Sequence, residues 1–193
     1  MKNLNLAYFV PYKFLNSLFL GLTVGAIFIL YAPLEPSIYS LGGIALALGM
    51  LIVAQLYNRI LTIDWFYKIS LLVEFVLLFI IIYFLIFSYN YTSAFIIYIG
   101  YQITFVFGSY LVRAETLFLK SKERLKKVDT AKQLGYLSGM LLSYFFYKIL
   151  TLYHINSSKE QVYYLHYLLI ILQSIIIYLV HKSFSTFNQY NQT

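Results

Sequence analysis

Apolar stretches separated by short polar segments follow one another along nearly the whole chain, and six of them reach the length at which a helix crosses a lipid bilayer. About 20 consecutive apolar residues (range roughly 17–25) span a hydrocarbon core of about 30 Å. The pattern predicts spans over 15–31, 38–56, 66–87, 94–112, 134–149 and 162–180. Residues 32–37, with Pro33 and Pro36, form a turn, so the first two spans make a hairpin. The polar, aromatic segment 88–93 joins the third and fourth spans in a second hairpin of the interfacial kind. A basic cytoplasmic loop over 113–133 leads to the fifth span, and 154–161 connects it to the sixth. The predicted fold class is all-α: a polytopic membrane protein whose residues 1–193 form a single six-helix domain.

Lys and Arg in the connections set the orientation, because cytoplasmic segments carry the excess. Lys2, Lys13, Arg59, Lys68, Arg113, Lys120, Lys122, Arg124, Lys126, Lys127, Lys132 and Lys182 fall on one side, and only Lys148 and Lys159 on the other. With six alternating crossings, this asymmetry places both termini in the cytoplasm of a cell whose inner (plasma) membrane holds the protein. The first apolar run lacks a small-x-small cleavage site and is of spanning length, so it is expected to be retained rather than removed as a signal peptide.

Composition narrows the function classes. The chain is 61% hydrophobic and 11% charged, against roughly 45–50% and 25% in soluble domains. The absence of Cys excludes disulfides, thiolate metal sites and thiol nucleophiles. A net charge of +7 in so apolar a chain reads as an orientation signal, with no nucleic-acid partner implied. His154, His166 and His181 have no metal-binding spacing, and neither a G-x-S-x-G element nor a phosphate-binding loop is present. Neither an enzyme, a metal nor a cofactor is therefore expected.

Glycines divide the spans. Gly21 and Gly25 form GxxxG in the first span, Gly135 and Gly139 form it in the fifth, and Gly43 and Gly49 lie in small-xxx-small patterns of the second. Small residues let helix backbones approach in lipid, where no hydrophobic drive operates between helices. Spans one, two, four and five are thus expected to form a tight centre, with the glycine-free third and sixth outside. The chain divides into three plus three.

That division, with Lys122-Glu123-Arg124 leading into Leu134-Gly135-Tyr136-Leu137-Ser138-Gly139, resembles the N-terminal six-helix half of a major facilitator superfamily transporter. The resemblance covers nearly the whole chain and implies two inverted three-helix repeats. The loop after the second span, Ala54 to Ile63, keeps Arg59 of the family's G-x-x-x-D-R-x-G-R-R signature but has Ala54, Asn58 and Leu61 where Gly, Asp and Gly would stand. A six-span chain supplies one wall of such a transporter's cavity. It therefore implies a second copy or a complementary six-helix half as partner, or else a truncated remnant.

Polar residues within spans are the candidate chemistry. Glu74, nine residues after Trp65, is an intramembrane carboxylate, a placement costing on the order of 2.5–3.5 kcal/mol unless partnered or used. One reading makes it an ion-coupling group; the other leaves it near the cytoplasmic surface, protonated or paired with a basic residue. Gln102, Ser109 and Arg113, spaced by seven and four, share a face of the fourth span. The resemblance implies that this face borders a substrate cavity, whereas the plainer reading has Arg113 reaching lipid headgroups. The function expected is a permease-like half transporter moving a small solute across the inner membrane. The alternatives are a non-transporting membrane subunit or, with less in its favour, a membrane-embedded enzyme.

Overall fold

The computed structural model describes residues 2–186. Its helices are α1 (Leu6–Tyr31), α2 (Pro36–Gln55), α3 (Tyr57–Ile60), α4 (Ile63–Phe87), α5 (Tyr91–Val106), α6 (Gly108–Leu119), α7 (Lys122–Leu152) and α8 (Ser158–Ser183); β1 (Lys2–Leu4) and β2 (Phe184–Thr186) flank them. Local chemistry marks the helix starts. Asn5 accepts from Ala7 N at 3.0 Å before α1, and Asn90 accepts from Ser93 N at 2.8 Å before α5, each capping an otherwise unpaired amide. Pro36 opens α2, where its missing N–H is harmless.

Among the described residues, five helices are long and apolar enough to cross a membrane: Leu6–Tyr31, Pro36–Gln55, Ile63–Phe87, Tyr91–Leu119 and Ser158–Ser183. The fourth of these comprises α5 and α6, separated only by a turn at Phe107. The sequence pattern also predicts a span over 134–149. There the structure has the second half of α7, whose apolar residues are diluted by Gly, Ser and Tyr and by Lys148. An all-helical chain with several such helices fits a multi-pass membrane protein.

The helices pair in register. α1 and α7 run parallel: Gly135 lies on Phe14, Gly139 on Leu18, and Ser143 Oγ donates to the Leu22 carbonyl at 3.3 Å. α4 and α8 run antiparallel, joined by Tyr163 Oη to Leu85 O at 3.0 Å, and by Tyr67 Oη with His181 Nδ1 at 2.9 Å. α2 runs parallel to α5, with Tyr98 Oη donating to Tyr39 O at 3.2 Å. Further interfaces join α1 to α8, α4 to α5 and α1 to α5. β1 pairs antiparallel with β2, Leu4 opposite Phe184, which holds the start of α1 beside the end of α8. Phe9, Phe66, Phe118 and Phe184 fill that end of the bundle, with Phe66 and Phe184 centroids 5.1 Å apart.

Three expectations are corrected. The glycine-free third and sixth spans are not peripheral: α4 and α8 bury Phe66, Ile69, Ile80, Phe84, Leu165, Leu169 and Ile176 in the core. Bulky side chains fill an interior as readily as close backbone approach does, so absence of glycine does not mean lipid exposure. Conversely α2, expected in the tight centre, buries only Val53. The basic segment 113–133 is also helical rather than a loop. α6 continues to Leu119, and α7 starts at Lys122 after Lys120 adopts a left-handed conformation at φ 57°.

Candidate functional site: a buried polar cluster

Glu74 lies eleven residues into α4, about 16 Å from its start at 1.5 Å per residue. It points into the bundle and is 1% exposed. Tyr12 Oη donates to Glu74 Oε1 at 3.0 Å and Asn16 Nδ2 to the same oxygen at 2.9 Å, both from α1. From α8, Gln173 Nε2 donates to Glu74 Oε2 at 2.8 Å and to the Glu74 backbone carbonyl at 2.9 Å. The second bond fixes the amide orientation, because a carbonyl can only accept. Three helices therefore converge on one carboxylate. Its hydrogen-bond partners are the side chains of Tyr12, Asn16 and Gln173 in the bundle interior.

A second cluster lies beside it. Lys13, one residue after Tyr12, is buried, is a charged neighbour of Glu74, and pairs through Nζ with Glu115 Oε2 of α6 at 2.8 Å. Lys132 of α7 pairs with Glu115 Oε1 and, at 3.2 Å, with Asp129 Oδ1. Buried Glu115 thus holds α1, α6 and α7 together, and the ionic row ends at the exposed carboxylate of Asp129. Sequence reasoning had counted Lys13 and Lys132 only as orientation charges and missed Tyr12, Asn16, Glu115 and Gln173. The available signal was the spacing of Tyr12 and Asn16, which places two polar side chains on one helix face, together with a lone Gln in the sixth apolar run.

The three tentative substrate residues are not brought together. Gln102 lines an apolar groove of about 360 Å³ between α2 and α5, among Leu41, Ala45 and Ile103. Ser109 and Arg113 are exposed beyond the Phe107 turn and line a separate recess with Gly108 and Thr116. Among the packing glycines, Gly21, Gly135 and Gly139 lie in the α1–α7 crossing, where a Cβ would meet backbone. Gly49 abuts the Val106 side chain, a Cβ at Gly25 would stand 3.9 Å from the Tyr147 ring, and Gly43 faces open space. Another apolar groove, about 420 Å³, lies between α1, α7 and α8. Among the described residues no group of His and carboxylates could hold a metal ion.

At the end of the bundle remote from the strands, Tyr89 Oη donates to the Lys159 carbonyl at 2.7 Å. Partial burial there pushes its phenol above the ordinary tyrosine range. The chemistry available to the molecule is therefore ionic and hydrogen-bonding, concentrated on Glu74 and Glu115. Comparison with protein families, with curated proteins and with solved structures found no match.

Proposed function

We propose that the chain is a six-span, permease-like unit of an inner membrane, resembling one half of a major facilitator transporter. It moves a small solute by alternating access after pairing with a second copy or a complementary six-helix unit. The pattern of helix pairing supports this reading. With spans numbered α1, α2, α4, α5 with α6, α7 and α8, exchanging each span with the one three places on converts the α1–α7 interface into α5–α2. It likewise converts α1–α8 into α5–α4 and leaves the α4–α8 and α1–α5 interfaces unchanged. All of these interfaces exist, and this closure is what two inverted three-helix repeats would produce.

Two further observations favour six spans. The β1–β2 pair ties the start of α1 to the end of α8, which suits an even number of crossings with both ends on one face. α7 is the candidate for the sixth, because it lies parallel to α1 from Gly135 to Tyr147. The basic residues favour the cytoplasm as the face holding the ends.

The test is uptake of radiolabelled anionic, cationic and neutral solutes by protein reconstituted in liposomes, alongside native mass spectrometry of its assembly. The reading expects at least one solute class to be taken up by a paired species, and Arg113→Gln to alter uptake if its recess borders the pathway. A strict monomer that takes up nothing ends the proposal. The apolar grooves and the enclosed carboxylate favour one rival, a non-transporting subunit bound to another membrane protein; a fixed-stoichiometry complex with such a protein and no uptake would support it.

A further inference from the structure

We infer that the space between α1, α4 and α8 is a binding site for a single proton, with Glu74 as the acceptor and access only from the face that carries the chain ends. This goes beyond the transport reading, because a proton can bind and leave here whether or not any solute moves.

The arrangement suits a proton and not a metal cation. A carboxylate offers about four lone-pair positions, and Tyr12, Asn16 and Gln173 fill three of them with N–H or O–H donors. A cation needs converging oxygens, whereas here donors converge. The unfilled position is on Oε2, which takes a single bond. Ser70, one turn before Glu74 on the same face of α4, is fully buried beside Tyr12, and the Gln173 amide bonded to Oε2 keeps its own oxygen unsatisfied. A proton added to Oε2 gives the carboxyl an O–H to donate, and these buried oxygens are the acceptors the cluster offers. The step is simple acid–base addition, a carboxylate plus a proton giving a carboxylic acid.

Access is one-sided because the chain of paired carboxylates and ammonium groups leads away from Glu74 in one direction. Toward the chain ends, Lys13, Glu115, Lys132 and Asp129 form a continuous row to the surface, past the phenylalanines that plug the bundle end. Protonation of Glu74 leaves Lys13 with Glu115 as its remaining anionic partner. In the other direction the buried side chains above Glu74 on α4 are Leu77, Ile80, Ile81 and Phe84, and those on α1 include Phe19, Leu22 and Ala26. The titratable groups around the site are thus Tyr12 and Lys13 on α1, Glu115 on α6, Lys132 on α7 and His166 on α8. His166 is two turns from Gln173, bonded through Nδ1 to the Val162 carbonyl at 2.7 Å and packed on the Phe84 ring. Beyond it the phenols of Tyr163 and Tyr89 pack on the same Phe84 ring, and their hydroxyls are bonded to the Leu85 and Lys159 carbonyls rather than to an ionic row.

The test is infrared difference spectroscopy of the full chain reconstituted in vesicles sorted for orientation, with pH changed on one side at a time. A reversible carboxylic-acid carbonyl band is expected, absent in Glu74→Gln and retained in Glu160→Gln, whose exposed carboxylate lies at the opposite end. The band should follow pH on the strand-bearing face. In Glu115→Gln it should follow roughly tenfold more slowly, equivalent to about 1.4 kcal/mol on the barrier. A band surviving in Glu74→Gln, a response confined to the opposite face, or displacement of the proton by sodium at constant pH would each overturn the inference. If Glu74→Gln fails to assemble, Gln173→Ala decides: losing that donor must move the band, and an unmoved band rejects the assignment.

Discussion

Gln173 of α8 donates one amide nitrogen to both the backbone carbonyl and the carboxylate of Glu74 on α4, at 2.9 and 2.8 Å. In water such a bond is exchanged for another at little net cost. Inside an apolar bundle no replacement exists, so the pair clamps α4 to α8.

Gln173→Leu should therefore destabilise the protein by about 1–3 kcal/mol, the cost of leaving a buried acceptor short of a donor. The measurement is the thermal unfolding midpoint in a fixed detergent. Combining it with Glu74→Leu should cost less than the sum of the two single losses, since the Gln173–Glu74 bond is lost once although Tyr12 and Asn16 lose their acceptor. Additive losses in the double variant would show that the two side chains do not act as a pair.

The α1–α7 crossing makes an asymmetric prediction about glycines. Gly139→Ala would drive a methyl into the Leu18 carbonyl and to 3.0 Å from Gly21 Cα, both backbone atoms that cannot swing aside. A loss of about 1–3 kcal/mol is expected, as for other overpacked interiors. Gly43→Ala, with nothing within 4 Å of the new methyl, should be neutral or mildly stabilising through improved helix propensity. Equal effects at the two sites would contradict the crossing.

Glu115 should be the most sensitive single carboxylate to truncation. It is 3% exposed and sits between Lys13 and Lys132, so Glu115→Ala takes the ion-pair partner from buried Lys13 and leaves Lys132 with Asp129 alone. Removing one partner of a buried ion pair typically costs about 3–5 kcal/mol. Replacing Lys13 by Met in the same background should recover part of that loss, because the buried charge left behind is then gone. Unfolding of purified single and double variants measures both effects.

Much of this architecture was legible in the apolar periodicity: the hairpin at Pro33 and Pro36 and the spans around Leu22, Leu77 and Leu169 are where the pattern puts them. The interior was less legible, because helix packing is decided by shape between segments far apart in sequence. Glycine content singled out Gly21 and Gly139 correctly, since close approach requires a missing Cβ. It misplaced α2, because Gly43 has the same composition with no neighbour to approach. Glu74 stood out as a lone carboxylate among apolar residues. Its partners did not, because Tyr12, Asn16 and Gln173 are ordinary polar residues until α1 and α8 bring them within 3.0 Å of it.

The status of α7 can be decided directly, because the chain contains no Cys to remove before labelling. α7 begins after Ser121 and ends before His154, and at 1.5 Å per residue its 31 residues reach about 46 Å, enough to cross the core with three turns to spare. Those spare turns carry Lys122, Arg124, Lys126 and Lys127, exposed at the strand-bearing end. Ser121→Cys and His154→Cys, treated in intact cells with a maleimide that cannot cross the membrane, should therefore react oppositely: His154→Cys labelled from outside and Ser121→Cys only after lysis. Labelling of both from the same side would remove α7 from the membrane, and the paired chain ends would then require another helix to be lost as well.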